Sequence, residues 1–438
     1  MNTEPAHTWK RYPAYKDSGV EWLGEVPEHW KLKKLKYLVT GFLKYGANES
    51  AELEDTNLPR YIRITDFGDN GKLKQDTFKS LPLEIAKYYL LENGDILFAR
   101  SGATVGKTFQ FKNHEKSACF AGYLIKASPD EKKILSDYLY LFTKSNSYEM
   151  WKNNIFIQAT IQNIGADKYN SLTLSVPPLP EQRAIAALLD RETGRIDTLI
   201  EKKERQVELL QEKRAALISH AVTKGLDPDV KMKDSGVEWL GEVPEGWEIL
   251  RLKYCSRINM GQSPSSEDCN IDGIGLPFLQ GNAEFNAINP MPKQYCEVAR
   301  KVSHKGDLLI SVRAPVGALN IANQDYGIGR GLCGITTNCH DFNPTFCWYL
   351  LHRVRVQLYM NATGSTYDAV SSDDVGNMVF VCPPLPEQRA IAAFLDRKTG
   401  RIDILTTKIR ESVLKLCEYR TALISAAVTG KIDVREGV

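Results

Sequence analysis

The sequence has no long apolar run and few cysteines. No stretch approaches the roughly 18 consecutive apolar residues that a membrane-spanning helix requires. The first residues, MNTEPAHTWKRYPAYKD, contain no apolar core of a secretion signal. The nine cysteines include no Cys-x-x-Cys pair, which is typical of free thiols in a reducing cytosol. We therefore expect a cytoplasmic protein.

Motifs of catalysis and metal binding are also missing. The segment Ser101–Thr108, SGATVGKT, resembles a P-loop, but three residues instead of four separate Gly102 from Gly106. A strand is predicted after it, where a P-loop needs a helix. The cluster within Cys333–His340 lacks the further ligands of a zinc site. No Asn-Pro-Pro-aromatic motif of a DNA methyltransferase and no His-Glu-x-x-His motif is present. The sequence therefore predicts a chain that is no enzyme by itself and holds no metal.

An excess of charge of either sign is absent. The chain of 438 residues has 56 Lys and Arg against 54 Asp and Glu, a net charge of +2. Nucleic-acid-binding domains are commonly more basic, but net charge does not report on local patches. The length gives room for two to four domains.

One segment of 21 residues occurs twice. Pro177–Asp197 reads PPLPEQRAIAALLDRETGRID and Pro383–Asp403 reads PPLPEQRAIAAFLDRKTGRID, with two differing positions. Each copy begins with proline, which the first turn of a helix tolerates. A glutamate follows where the helix dipole favours a carboxylate. We therefore predict that each copy begins a helix.

Apolar residues continue from each copy at alternating spacings of four and three, the period of a coiled-coil seam. The predicted seam consists of Ile196, Ile200, Val207, Leu210 and Leu217 in the first helix and of Ile402, Ile409, Val413, Leu416 and Leu423 in the second. Two arginines at seam positions, Arg214 and Arg420, either fix the register or extend to solvent. Because the two seams match, we expect the helices to pair with each other. The alternative is two separate amphipathic helices, each packed on its own domain.

A second repeat precedes each variable part of the chain. Lys16–Trp30, KDSGVEWLGEVPEHW, and Lys233–Trp247, KDSGVEWLGEVPEGW, match at 14 of 15 positions. Their mixture of Trp, Val, Pro and Gly predicts a turn-rich segment anchored by tryptophan. If the halves of the chain are alike, the N-terminal copy should pack beside the end of the second long helix. The chain would then be a pseudo-circle that is opened once.

The two segments between the repeats share little sequence but the same order of predicted elements. Both have a short strand after a proline and a turn into a buried strand, Gly94–Phe98 and Gly306–Ile310. We predict helices at Ser136–Trp151 and Phe346–Met360, and closing strands at Thr160–Val176 and Ala369–Val381. Each segment is therefore expected to form a mixed α/β domain of one fold. Divergent domains of one fold are expected to bind different targets, whereas near-identical segments bind the same partner or each other.

The predicted fold class is α+β, with two mixed α/β domains joined by two long helices. The predicted parts are an N-terminal repeat segment (1–30), a first variable domain (31–176), a first long helix (177–224), a linker with the second repeat segment (225–247), a second variable domain (248–382), and a second long helix with the tail (383–438).

With two PPLPEQRAIA helices flanking two unlike domains, the chain resembles the specificity subunits of type I DNA restriction–modification enzymes over nearly its whole length. The resemblance implies that each variable domain is a target recognition domain for one half of a split DNA site. It also implies an antiparallel coiled coil with internal pseudo-two-fold symmetry that spaces the domains. Since the domains differ, the target should be asymmetric.

The same resemblance implies partners. Two methyltransferase subunits would dock on the repeats, and restriction–translocation subunits would join them. S-adenosylmethionine, ATP and Mg²⁺ would be cofactors of those partners and not of this chain.

Candidate DNA contacts follow from residue type and position. Arginine can bind guanine, and glutamine or asparagine adenine, through two hydrogen bonds, whereas lysine more often contacts phosphate. The candidates are Arg63, Thr65, Arg100, Lys107, Gln158, Thr160 and Gln162 in the first domain and Gln280, Asn282, Arg313, Thr366 and Asp368 in the second. We align Arg63 with Gln280 and Thr65 with Asn282. For each residue the alternative is a solvated loop.

Candidate contacts of the methyltransferase subunits are the repeated triplets Glu181, Gln182, Arg183 and Glu387, Gln388, Arg389. The alternative for the triplets is a capped helix with a solvated first turn. For the whole chain one alternative is a pseudo-dimeric coiled-coil adaptor that presents two protein-binding domains. Another is a DNA-recognition subunit that serves methylation without cleavage.

Overall fold

A computed structural model describes residues 9–68, 71–102, 104–112, 116–157, 163–337, 342–358 and 370–435. The chain divides by its contacts into two units. The first unit consists of Met1–Lys203 and Glu411–Val438, and the second unit of Glu204–Arg410. Both divisions fall inside a long helix and not at the ends of the predicted domains.

Two helices are far longer than the others. In the described residues the helices are α1 (Leu83–Ala86), α2 (Ser136–Phe142), α3 (Asn146–Ile157), α4 (Ala166–Ser171), α5 (Leu179–Lys224), α6 (Pro344–Val354), α7 (Ser372–Gly376) and α8 (Leu385–Val428). α5 has 46 residues and α8 has 44, which confirms the two predicted long helices. No described helix combines the length and the apolar character needed to cross a membrane.

The two long helices pack against each other in each unit. In the first unit, Ile185 and Ile196 of α5 share a hydrophobic core with Leu423 of α8. In the second unit, Val222 of α5 shares a core with Ile391 of α8. The alternative of two separate helices is therefore wrong, and every predicted seam residue is buried or half-buried.

Two arginine–aspartate pairs show the direction of the helices. In the first unit Arg420 Nε lies 2.9 Å from Asp197 Oδ1, and in the second Arg214 Nε lies 3.4 Å from Asp403 Oδ1. In the first unit the hydroxyl of Ser175, just before α5, donates to the carbonyl of Val428 at the end of α8 (2.8 Å). The helices are therefore antiparallel. Both arginines pair across the helices, which favours the prediction that they fix the register.

Short strands build each variable domain and the repeat segment before it. Those of the first unit are β1 (Tyr15–Asp17), β2 (Glu25–Pro27), β3 (Lys31–Lys34), β4 (Lys44–Tyr45), β5 (Arg60–Ile62), β6 (Ile96–Ala99), β7 (Thr108–Gln110), β8 (Ala118–Phe120), β9 (Leu124–Ala127) and β10 (Thr173–Val176). They form a sheet of order β4-β9-β6-β7, a parallel pair β5–β8, and the antiparallel pairs β1–β2 and β3–β10. β6 is buried along its whole length, as its apolar sequence ILFA predicts.

The second unit repeats this scheme. Its strands are β11 (Met232–Asp234), β12 (Glu242–Pro244), β13 (Glu248–Arg251), β14 (Ser256–Met260), β15 (Cys269–Asn270), β16 (Leu276–Leu279), β17 (Gln294–Cys296), β18 (Val302–Ser303), β19 (Leu308–Ser311), β20 (Leu319–Ile321), β21 (Tyr326–Ile328), β22 (Leu332–Thr337) and β23 (Val379–Cys382). The order β14-β22-β19-β20 matches β4-β9-β6-β7, and the parallel pair β16–β21 matches β5–β8. The prediction that both variable domains share one fold is confirmed.

Three predicted elements differ from the structure. Within the described parts of the predicted closing strands Thr160–Val176 and Ala369–Val381, residues 163–176 and 370–381, α4 and α7 precede the strands β10 and β23. At α7, Ser371 and Asp374 cap the helix start reciprocally, a local preference that outweighs strand formation. The predicted helix Ser136–Trp151 is broken into α2 and α3.

A glycine ends each long helix beneath a tryptophan of the repeat segment. Gly225 after α5 and Gly430 after α8 have φ angles of +82° and +71°, which side chains other than glycine rarely adopt. A Cβ at Gly225 would lie 3.2 Å from the ring of Trp247, and one at Gly430 3.2 Å from the ring of Trp30. The N-terminal segment thus lies against the end of α8, where the Tyr15 hydroxyl donates to the Gly430 carbonyl (2.9 Å).

Candidate nucleic-acid interface

The first residues of α5 are buried where the helix meets its variable domain. The Glu181 carboxylate is 6% exposed and accepts hydrogen bonds from the Tyr12 hydroxyl and from Trp30 Nε1 (3.0 Å). Burial, together with the hydrogen bond to Glu181, raises the pKa of Tyr12 well above its ordinary value, so Tyr12 remains a donor. The fully buried Gln182 accepts from the Leu135 N–H (2.8 Å) and donates to the Pro177 carbonyl (2.9 Å).

The first residues of α8 make the same contacts in the second unit. The buried Gln388 accepts from the Asn343 N–H (2.8 Å) and donates to the Pro383 carbonyl (2.9 Å). The half-buried Glu387 accepts from Trp247 Nε1 (3.0 Å). These contacts tie each long helix to its variable domain and repeat segment.

This burial corrects the predicted contacts with methyltransferase subunits. Glu181, Gln182 and Gln388 present almost no surface to a partner, because they serve contacts inside the chain. Of the two triplets, Arg183 and Arg389 are exposed. For these two arginines the docking prediction stays open.

Arg63 follows β5, and Gln280 follows the corresponding strand β16. The main-chain carbonyl before each accepts an equivalent hydrogen bond, 2.9 Å to Ile62 and 2.8 Å to Leu279. An arginine and a glutamine thus come directly after corresponding strand residues. Two unlike half-sites would require different side chains at such positions.

The two domains then differ in length by one residue. The Asp66 carboxylate accepts from the N–H of Arg63 in the first domain, and Glu284 accepts from the N–H of Gly281 in the second. In this turn Asp66 corresponds to Glu284, and Arg63 corresponds to Gly281. The second domain therefore has one additional residue between β16 and the turn, so the predicted match of Thr65 with Asn282 is wrong, and that of Arg63 with Gln280 holds only when counted from the strands.

The guanidinium of Arg63 holds the turn that follows β5. Its Nη2 lies 3.0 Å from Asp66 Oδ1 and donates to the Thr77 carbonyl (2.7 Å). Thr65 is exposed beside it and lines a cavity of about 250 Å³ together with Tyr123. Arg63 lines the same cavity, so the two residues border one surface.

The predicted arginines after β6 and β19 occupy different positions. The N–H of Arg100 donates to the Tyr123 carbonyl just before β9 (3.0 Å), and the N–H of Val312 donates to the Gly331 carbonyl just before β22 (2.9 Å). Arg100 thus corresponds to Val312. Arg313 therefore lies one residue farther along, and it is exposed. Arg100 is half-buried, with its guanidinium carbon 4.9 Å from the centre of the Tyr45 ring.

A polar cluster in the second domain surrounds Gln280. Its side-chain amide donates to the Ser263 hydroxyl (3.1 Å), to which Arg330 Nε also donates (3.3 Å). The prediction missed Ser263 and Arg330. The arginine within the sequence Gly329–Gly331 was the available signal, because glycine permits close approach of a ligand to the backbone. Asn282 is half-buried next to this cluster in sequence.

The remaining candidates have separate outcomes. Lys107 is exposed and lines a cavity of about 980 Å³ in the first unit. Gln158, Thr160, Gln162, Thr366 and Asp368 lie outside the described residues, as do Cys339 and His340. Among the residues that are described, no group of three or more His, Cys, Asp or Glu side chains could hold a metal ion.

Two unlike domains of one fold, carried on a repeated antiparallel helix pair, define a scaffold with two distinct recognition sites. A family model described as the type I restriction modification DNA specificity domain matches residues 27–209 and 244–415. The chain belongs to this family. Its role is accordingly DNA recognition within a type I restriction–modification complex, and catalysis belongs to other subunits.

Similar proteins span the whole length of the chain. The MjaX type I restriction enzyme specificity subunit of Methanocaldococcus jannaschii is 32% identical, covering 94% of this chain and 96% of its own. The EcoKI specificity subunit of Escherichia coli K12 is 22% identical, covering 94% of this chain and 91% of its own.

Solved structures share the fold. A chain from a structural study of complex assembly and conformational transition in the type I R-M system has a TM-score of 0.74 and 23% identity, covering 92% of this chain and 98% of its own. The HsdS subunit from Thermoanaerobacter tengcongensis has a TM-score of 0.54 and 23% identity, covering 93% of this chain and 98% of its own.

Proposed function

We propose that the chain recognises a split, asymmetric DNA target and directs methyltransferase and restriction subunits to it. The supporting observation is that both variable domains have the same strand order, whereas the residues that directly follow the corresponding strands β5 and β16, Arg63 and Gln280, differ. Each domain reads one half-site, and the antiparallel helices set the spacer between the halves. S-adenosylmethionine, ATP and Mg²⁺ serve the partner subunits, and the complex acts in the cytoplasm.

Two methyltransferase subunits dock, one on each copy of the helix repeat. The exposed face of α5 carries Arg183, Ala187 and Gly194. The matching positions of α8 carry the exposed Arg389 and Ala393 and the half-buried Gly400. Glycine inside a helix costs about 1 kcal/mol relative to alanine. A Cβ at Gly194 or Gly400 would meet no atom within 4 Å, so the described chain gives no packing reason for either glycine. Close approach of a partner helix to α5 at Gly194 and to α8 at Gly400 explains both glycines.

A domain exchange tests the division into half-sites. Residues 31–176 are replaced by the first variable domain of another family member, and the methylated motif is determined by sequencing modified DNA from cells that also carry the methyltransferase. We expect one half of the motif to change, while the other half and the spacer remain. The matched exchange of residues 248–382 should change only the other half. A change of both halves in either exchange would refute modular recognition.

The adaptor alternative is tested by DNA binding. The full chain, with and without its methyltransferase subunits, is mixed with genomic fragments in a gel-shift assay. Absence of DNA binding in both cases would favour an adaptor and overturn the proposed function.

A further inference from the structure

Two cysteines of the second variable domain lie directly opposite each other on neighbouring strands. In the antiparallel pair β15–β17, Cys269 of β15 is paired with Cys296 of β17. Cys296 is fully buried and is paired on its other side with Leu276 of β16, so it lies on a strand that is held from both sides. Cys269 is half-buried on the edge strand of the sheet. Both are free thiols, and we call them the thiol pair.

The hydrogen bonds beside the thiol pair show how close its two main chains are. The N–H of Glu297 donates to the Asp268 carbonyl (3.0 Å), so these two residues form a hydrogen-bonded pair. Hydrogen-bonded and non-hydrogen-bonded pairs alternate along antiparallel strands, and the thiol pair comes next. It is therefore a non-hydrogen-bonded pair, in which the Cα atoms lie about 4.5 Å apart. A disulfide spans about 4.4–6.8 Å between Cα atoms, so the strands already have the separation that a disulfide requires.

The two thiol groups also interact with each other. Burial raises the pKa of Cys296, and a hydrogen bond from the Val298 main chain opposes this rise. The Cys269 thiol raises the pKa of Cys296 further, through its charge and through a hydrogen bond between the two side chains. Side chains of directly opposite residues lie on the same face of a sheet. The hydrogen bond shows that the two sulfur atoms meet on that face.

A small oxidant reaches the two sulfur atoms of the pair unequally. Cys269 is half-buried, whereas Cys296 has no exposed surface. Four other described thiols are buried and have a raised pKa, which keeps them protonated and unreactive: Cys119, Cys255, Cys333 and Cys347. Cys382 lies at the end of β23, and the exposed Cys417 lies on α8. The thiol pair thus combines one accessible sulfur with one enclosed sulfur beside it.

We propose that the thiol pair is an oxidation site, at which a small-molecule disulfide produces a cross-strand disulfide between Cys269 and Cys296. The Cys269 thiolate attacks one sulfur of the reagent, forms a mixed disulfide and releases a first small thiol. Cys296 then displaces the second small thiol and forms the S–S bond. The protein thiols lose two protons and two electrons, which convert the reagent to two thiols. An excess of thiol reverses both exchanges, so the pair stays reduced in reducing surroundings.

The disulfide fastens the edge strand β15 to the interior strand β17 in the second domain alone. It closes a loop that spans 27 positions (296 − 269), and such a closure stabilises a fold by restricting its unfolded chain. The first variable domain, 31–176, has a single cysteine, Cys119, and cannot form this bond. Its comparable bridges join Ser80 to Leu53 and to Arg60. Oxidation therefore changes the stability of one recognition domain relative to the other.

Mass spectrometry of the full chain tests the bond, because trypsin separates the two cysteines. Cys269 falls in the peptide 258–293 and Cys296 in the peptide 294–300, and neither peptide contains another cysteine. The chain is reduced, freed of reductant, incubated with 2-hydroxyethyl disulfide, alkylated and digested without reduction. We expect a species that joins the two peptides, is lighter than their sum by two hydrogen atoms and disappears after treatment with dithiothreitol.

Single variants separate the roles of the two thiols. Cys296→Ser should retain a mixed disulfide at Cys269, because no second thiol displaces the hydroxyethyl group. Cys269→Ser should leave Cys296 unmodified, since its sulfur is enclosed. Cys417→Ser is the matched control on another element and should form the linked peptide at the wild-type yield. In the wild type, modification of the exposed Cys417 shows that the reagent is active.

Deuterium uptake in moderate urea, followed by peptide, tests the consequence for stability. Oxidation should slow the uptake of main-chain N–H groups across 248–382 by about tenfold or more where exchange requires unfolding of the domain. The uptake across 31–176 should not change. The reagent should slow exchange in neither Cys269→Ser nor Cys296→Ser, which separates the effect of the bond from that of the reagent.

Three results would overturn the proposal. They are the absence of the linked peptide although Cys417 reacts, a persistent mixed disulfide at Cys269 of the wild type, and an equal yield of linked peptide in concentrated urea, where the fold no longer pairs the strands. A linked peptide without slower exchange across 248–382 would refute the stabilisation of the second domain.

Discussion

Replacing Gln182 by methionine should destabilise the first unit without changing its surface. The fully buried amide accepts from the Leu135 N–H and donates to the carbonyls of Pro177 (2.9 Å) and Lys133 (3.2 Å). Methionine fills a similar volume but provides neither donor nor acceptor of comparable strength, so three main-chain groups lose their partner. At about 1 kcal/mol for each, the free energy of unfolding should fall by about 3 kcal/mol.

Two matched variants serve as comparisons for Gln182→Met. Gln388→Met in the second unit removes the hydrogen bonds to the Asn343 N–H, the Pro383 carbonyl and the Cys382 sulfur, so its cost should be of similar size, about 2–3 kcal/mol. Arg183→Met changes an exposed side chain and should stay within about 0.5 kcal/mol of the wild type. Urea unfolding followed by tryptophan fluorescence provides the measurement, because Trp30 is buried against the neighbouring Glu181.

The result that refutes this argument concerns partner binding. If Gln182→Met unfolds at the wild-type urea concentration but no longer copurifies with the methyltransferase subunits, the glutamine serves docking and not folding. An Arg183 variant that loses the partner at full stability would, by contrast, support docking through the exposed arginine.

A further prediction concerns charge. Asp197→Arg and Arg420→Asp should each lower the thermal midpoint of the chain, and the exchanged pair should recover it, because an ion pair near the surface contributes about 0.2–1 kcal/mol. Effects of the two substitutions that simply add would show that the pair does not fix the register.

The long helices could be predicted because their signals are local. A proline-led start and an apolar spacing of three and four are contained in one continuous stretch, Leu179–Lys224 or Leu385–Val428. The common fold of the variable domains was also predictable, since the order of strands and turns survives where side chains diverge. Identity between the halves was misinterpreted at Gln182 and Gln388. Repeated residues can serve a repeated junction inside the chain as well as a repeated partner.

Other features depend on contacts between residues that are far apart in the sequence, and no local sequence pattern predicts such contacts. The cavity of about 980 Å³ in the first unit is lined by both Arg60 and Arg420, which are 360 positions apart in a chain whose net charge is only +2. The one-residue addition between β16 and the following turn became visible only through the hydrogen bond to Glu284. An alignment of two divergent halves of one sequence has no information about such a shift.

The first unit is assembled from both ends of the chain, and this sets an order during synthesis. Every residue of the second unit, 204–410, leaves the ribosome before the last segment of the first unit, which begins at Glu411. Until that segment emerges, the first unit lacks Leu423 and Val428 in its core and has no Gly430 beneath Trp30. Domains generally fold as units while the chain is made. The second recognition domain can therefore fold first. A chain whose synthesis stops before Glu411 would contain the complete second unit and an incomplete first unit.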